Sequence, residues 1–154
     1  MPSWEEITCE APELAARAEA FFAAGRHKTL ATLREDGSPR ISGIELDVRD
    51  GQLWLGCMWQ SVKALDLRRD PRCAVHSASV EPPAWSGDAK VAGRAEEVLD
   101  PELVEAVDGP GQQRSHLFRL EVTELVVVRL GEPPDHLVVE SWHPGRGVLR
   151  RERR

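Results

Sequence analysis

The spacing of apolar positions changes twice along this chain. Between residues 12 and 24, Leu14, Ala18, Phe21 and Phe22 recur at helical intervals behind Pro12, and Gly25 follows as a stop. From Lys28 onward the period drops to two. Thr29 to Leu33 is a short β-rich run, Glu35 to Pro39 a turn centred on Asp36-Gly37, and Arg40 to Val48 a second strand. In that strand Ile41, Gly43, Glu45 and Asp47 share one face, and Ser42, Ile44, Leu46 and Val48 the other. Arg49-Asp50-Gly51 turns the chain into a third strand, Gln52 to Cys57, so these three strands form an antiparallel meander.

Ser61 then reads as the N-cap of a helix running from Val62 to about Arg69, which Asp70-Pro71 ends. Strand character returns at Cys73 to Ser79 and Ala89 to Val98, with a short helix expected from Asp100-Pro101 to about Val107. Asp108 to Gln113 reads as loop. His116 to Leu130 is too long for one strand without a bend, and Leu137 to Trp142 is expected to be the last strand, with an irregular tail after Gly145. Six or seven antiparallel strands with two or three flanking helices describe a mainly β protein, and a small β-barrel closes the sheet edges that such a set would expose.

Composition narrows the function. With 154 residues, 41% hydrophobic and 30% charged, the chain suits one domain spanning residues 1–154 with a single core. There is no run of ~18 apolar residues for a membrane span, and the acidic start Trp4-Glu5-Glu6 is unlike a secretory leader; a cytoplasmic protein is expected. Cys9, Cys57 and Cys73 form no CxxC and read as thiols. The five histidines show no ligand spacing, so no metal site is expected. A net charge of −6 opposes nucleic-acid binding, yet Arg146, Arg150, Arg151, Arg153 and Arg154 make residues 143–154 a basic tail.

Catalytic signatures are missing: there is no G-x-S-x-G elbow and no Walker loop. The chemistry-bearing stretch is Leu55 to Ala64, where a strand ends and a helix opens on Ser61 with Lys63 in its first turn. Free N–H groups, a hydroxyl and an ammonium converging there make an anion site, to which Arg40 can add a second cation; a capped surface helix with a solvated lysine is the plainer alternative.

These residues carry a resemblance. Ala31-Thr32-Leu33-Arg34-Glu35-Asp36-Gly37-Ser38-Pro39-Arg40, then Leu53-Trp54-Leu55-Gly56, then Ser61 to Pro71 and Gly93-Arg94-Ala95-Glu96 resemble the pyridoxamine 5'-phosphate oxidase-like, FMN-binding split-barrel superfamily. The resemblance implies a homodimer with FMN in its interface, or the deazaflavin F-420 in a related branch, and hydride transfer to or from a small organic substrate. It implies cofactor contacts from Arg40, Ile41 and Ser42 on the second strand, from Cys57, Met58 and Trp59 in the loop, from Ser61 and Lys63 at the phosphate, and from Asp88 near the ring. It names no catalytic side chain, since the coenzyme carries the chemistry. Val62 stands where the oxidases carry arginine, removing one charge-assisted contact worth ~1.5–3 kcal/mol, and Glu45 stands where they carry lysine. The 17 arginines against 3 lysines suit a GC-rich genome of the kind in which the deazaflavin branch is abundant. The basic tail then reads either as a groove for that coenzyme's polyglutamyl tail or as a solvated terminus. The competing reading is a module that binds FMN, deazaflavin or haem without turnover, with His76 or His116 as the haem ligands to test.

Overall fold

A computed structural model of the chain describes residues 2–109 and 115–154. It contains α1 (Trp4–Glu10), α2 (Pro12–Ala23), β1 (Lys28–Leu33), β2 (Pro39–Arg49), β3 (Gln52–Met58), α3 (Val62–Arg69), β4 (Arg72–His76), β5 (Gly87–Val98), α4 (Pro101–Asp108), β6 (Ser115–Leu130), β7 (Leu137–His143) and β8 (Gly147–Arg153). The sheet order is β3-β2-β1-β4-β5-β6-β7-β8, and a further β3–β6 pairing closes the first six strands into an antiparallel barrel. The mainly β split barrel expected from the sequence is therefore the fold. Of the loop expected at Asp108 to Gln113, residues 110–114 lie outside the described residues, and Asp108 itself ends α4.

Alternation in β2 follows the expected faces: Ile44 and Leu46 are buried, whereas Ile41, Gly43, Glu45 and Asp47 are exposed. The long β6 is bent as its length required. Its first part, Ser115 to Leu120, pairs with β3, and its last part, Leu125 to Leu130, pairs with β7. Between them the register against β5 slips at Ala92/Gly93, where Gly93 faces Val122, Ala92 faces Glu124, and Thr123 is the extra residue of a bulge. Gly93 is required there. A Cβ on it would lie 1.9 Å from the Glu121 carbonyl oxygen, so only glycine lets the two backbones approach.

Three local expectations are corrected. The tail is not irregular: Gly147–Arg153 forms β8, registered against β7 from Leu137↔Arg153 to His143↔Gly147. The hairpin is possible because Gly145 and Gly147 adopt positive φ and Arg146 N–H donates to the His143 carbonyl at 3.1 Å. Strand β4 stops at His76 rather than Ser79, since Ser77 turns to exchange bonds with Ala89, its N–H donating to the carbonyl and its hydroxyl accepting from the N–H. A helix not foreseen, α1, opens the chain on a capping box in which Ser3 and Glu6 satisfy each other's backbone N–H groups.

The core lies between the barrel interior and the first two helices. Trp4, Ile7, Leu14, Ala18 and Phe22 pack with Leu53, Leu55, Phe118, Leu125 and Trp142, all buried. Two indoles are tied at their polar edge, Trp4 to Glu19 at 2.5 Å and Trp142 to Glu10 at 3.0 Å. Among the described residues no helix is long and apolar enough to cross a membrane.

Candidate functional site

The junction of β3 and α3 is held by three backbone features. Gln60 sits in the left-handed region at φ 58°, Ser61 N–H donates to the Met58 carbonyl at 3.1 Å, and the Ser61 carbonyl accepts the Leu65 N–H at 3.1 Å. The helix therefore starts abruptly, and the N–H groups of its first turn lack intrahelical partners, as at any helix start. Ser61 occupies the cap position with an extended backbone, yet its hydroxyl makes no capping bond. That hydroxyl and the one on Ser42 are the two buried side-chain polar atoms without a partner among the described residues. An unsatisfied buried hydroxyl costs ~1–3 kcal/mol, so one left at the cap of a helix is a signal.

Beside this helix start lies a cavity of about 620 Å³, bounded by Gly43, Cys57, Met58, Trp59, Lys63 and Leu117 among others. The Lys63 ammonium reaches across to donate to the Gly43 carbonyl. Glu45 and Asp47 line the far part of the same space, so it is cationic at the α3 end and anionic along β2. Cys57 is buried, whereas Met58 and Trp59 are exposed, by 79% and 38%.

On the other side of α3 a shallower groove is lined by Arg34, Arg40, Val62, Leu65, Asp66 and Arg69. Asp66 is its anchor. Buried inside the turn, it accepts from Arg40 Nε at 2.7 Å, Thr32 Oγ1 at 2.8 Å and Arg69 Nη2 at 2.9 Å. Burial pushes the Asp66 carboxyl up, but the Arg40, Thr32 and Arg69 hydrogen bonds outweigh it and hold the group below the ordinary carboxylate range. Arg40 thus lies against α3 with Nε engaged, while its terminal guanidinium nitrogens make no hydrogen bond among the described residues.

Of the residues singled out from sequence, Cys57, Met58, Trp59 and Lys63 line one cavity. Ser42 and Ser61 do not line it: Ser61 caps the helix that carries Lys63, Ser42 lies on the face of β2 opposite Gly43, Glu45 and Asp47, and Arg40 lines the groove on the opposite flank of α3. Ile41 is 74% exposed on the outer face of β2. Asp88 stands apart: it accepts from Trp85 Nε1 at 3.2 Å and lies 3.6 Å from His76 Nε2, and it does not line the cavity within this one chain. Among the described residues no group of three His, Cys, Asp or Glu could hold a metal.

Two participants went unrecognised in sequence. Asp66 sits at the spacing of an ordinary helix carboxylate, and its role shows only when Thr32 and Arg40 arrive from two strands. His116 was singled out only as a haem ligand to test. Its ring is buried with both nitrogens engaged, Nε2 by the Gln60 N–H at 3.0 Å and Nδ1 by Glu97 Oε1 at 2.6 Å.

Comparison with solved structures returns this fold repeatedly. A conserved hypothetical protein from Mycobacterium tuberculosis is 27% identical, with a TM-score of 0.57 over 70% of this chain and 79% of that one. A pyridoxamine 5'-phosphate oxidase-related, FMN-binding protein from Nostoc punctiforme is 15% identical, with a TM-score of 0.61 over 90% and 94% of the two chains. PhzG from Burkholderia lata, in complex with tetrahydrophenazine-1-carboxylic acid, is 15% identical, with a TM-score of 0.64 over 98% and 93%. No curated protein sequence matches. The pyridoxamine 5'-phosphate oxidase family model matches residues 14–129, most of the chain and every strand of the barrel, so this protein belongs to the pyridoxamine 5'-phosphate oxidase family.

Proposed function

We propose that this protein is an oxidoreductase that binds a flavin-type coenzyme at the start of α3 and works as a homodimer on a small organic substrate. The observation that carries the reading is the buried, unpartnered hydroxyl of Ser61 at the N-cap of α3, next to the cavity that Lys63 lines. A phosphate oxyanion supplies the acceptor that this hydroxyl lacks, while the first-turn N–H groups and the Lys63 ammonium supply its donors and countercharge. The residues present therefore fit a coenzyme phosphate, which FMN and F-420 both offer.

Such a coenzyme supplies the hydride acceptance and donation for which the chain has no chemistry of its own. The chain's part is to grip and to enclose. Ser61 and Lys63 hold the oxyanion, Asp66 fixes the helix through Arg40 and Thr32 on its other flank, and Trp59 gives a flat apolar wall that keeps water from the ring. Met58, Val62 and Leu65, just before and within α3, are exposed, and so is Ile41 on the outer face of β2. A second copy covering this apolar patch would enclose the cavity, which supports the dimer. Val62 in place of a guanidinium favours a coenzyme less dependent on phosphate charge than FMN is in the oxidases, and that supports F-420 as the alternative ligand.

The test is a titration of purified protein with FMN and with F-420, followed by the absorbance and fluorescence of each, against the Lys63→Ala variant. Loss of one charge-assisted contact is expected to weaken whichever coenzyme binds by roughly ten- to a hundredfold. Affinity for both coenzymes unchanged in Lys63→Ala overturns the site, and binding without turnover of any hydride donor or acceptor leaves a carrier instead of an enzyme.

A further inference from the structure

His116 is wired into the cavity more tightly than a core histidine needs to be. Its ring lies parallel to Trp59, with centroids 4.4 Å apart and planes 8° from parallel. Nε2 accepts the Gln60 N–H at 3.0 Å. A backbone amide only donates, so Nε2 carries no proton and the ring is the neutral Nδ1–H tautomer. That proton is donated to Glu97 Oε1 at 2.6 Å, and Glu97 is gripped by Arg68 through Nε at 2.6 Å and Nη2 at 2.9 Å. Arg68 belongs to the last turn of α3, and Gln60 immediately precedes Ser61. The chain of contacts leaves α3 at one end and returns to it at the other.

We infer that His116 is a positioning residue for the cavity: as the neutral ring it holds Trp59 in place as the wall and Gln60 in the left-handed turn that aims the start of α3. An aromatic carbon ring could supply the stacking alone. It could not accept from Gln60, whose φ of 58° is unfavourable for a side-chain-bearing residue and must be held by its surroundings, nor donate to Glu97. Protonation of Nε2 would set two N–H groups against each other and release the loop. The groups facing the ring are Glu97 on β5, Arg68 on α3 acting through Glu97, Cys57 opposite on β3, and Phe118 on β6 itself at 6.3 Å between ring centroids. Glu97 accommodates an imidazolium; the Gln60 amide does not.

The inference rests on the coenzyme reading only where affinity is concerned, so its experiment has two arms. In the first, the coenzyme-free protein is followed by near-ultraviolet circular dichroism as pH is lowered, with Trp59→Phe identifying the Trp59 contribution. The wild type is expected to lose that contribution reversibly on acidification while the far-ultraviolet signal persists. His116→Phe and His116→Gln are expected to show no such acid transition, with Gln, which can still accept from Gln60, keeping more of the signal at neutral pH. In the second arm, FMN titrated at neutral pH is expected to bind roughly tenfold more weakly to His116→Phe, with part of the loss recovered in His116→Gln. An acid transition of Trp59 that survives both substitutions overturns the inference, as does a Trp59 signal that neither substitution changes. If His116→Phe does not fold, His116→Gln and the wild-type acid transition decide the matter. If FMN binds to none of the proteins, the coenzyme reading fails and the first arm still stands.

Discussion

Removing the Asp66 carboxylate tests the physical core of the site. In Asp66→Ala three donors lose their acceptor at once: Thr32 Oγ1, Arg40 Nε and Arg69 Nη2. Deleting one partner of a fully buried ion pair costs ~3–5 kcal/mol. Here the carboxylate side chain is 3% exposed, but Arg40 and Arg69 are 24% and 38% exposed and regain water, so the lower end applies, about 3 kcal/mol. Asp66→Asn keeps the shape and loses the charge, and should cost about half as much. Urea unfolding at pH 7 reads both, with the midpoint falling and the slope unchanged. The pH dependence has a definite sign. Because the folded carboxyl titrates below its unfolded value, its stabilisation is complete above the unfolded pKa of ~3.9 and is lost as pH falls through the folded one. Wild type and Asp66→Asn should therefore converge in acid. A cost below ~1 kcal/mol for Asp66→Ala, or a gap between wild type and Asp66→Asn that stays constant into acid, would refute the reasoning.

Two further outcomes follow from the packing. Gly93→Ala places a Cβ 1.9 Å from the Glu121 carbonyl oxygen, against backbone that cannot swing aside as a side chain could, and should destabilise the fold by about 3 kcal/mol or prevent folding, read by thermal unfolding. Among the thiols, burial and the neighbouring Cys57 push Cys73 up to about 12, whereas Cys9 is exposed. Alkylation of the native protein at pH 8 should therefore mark Cys9 quickly and Cys73 only after unfolding, which peptide mass spectrometry distinguishes; equal rates would contradict the packing.

Much of the barrel could be read along the chain because its cues are local. The two-residue period of β2, the Asp36-Gly37 turn and the stop at Asp70-Pro71 each depend on neighbours in sequence. So does the opening of α3 behind Ser61. What escaped depends on partners far away or on masked signals. The tail's strand is hidden because all of β8 is exposed, so no apolar face repeats; Pro144-Gly145 and Val148-Leu149 were the available cue. The capping box Ser3-x-x-Glu6 announced α1 and went unread against an acidic terminus. His116 and Asp66 show their work only after β5, β6, β1 and β2 have brought Glu97, Thr32 and Arg40 to them. The two orphan hydroxyls belong to serines that sequence reasoning had placed at a coenzyme, but their lack of partners is a property of packing alone.

The bulge at Thr123 has a consequence for how this chain can vary. Before it the core-facing residues of β6 are Phe118, Leu120 and Val122, and after it they are Leu125 and Val127, so even-numbered positions give way to odd ones. The surplus residue acts as a phase corrector between the half that closes the ring and the half that carries the last two strands. Deleting it would turn one half inside out while leaving the other untouched, exposing valines and leucines to water on one side of the cut. Length is therefore fixed more strictly at this point than side-chain identity.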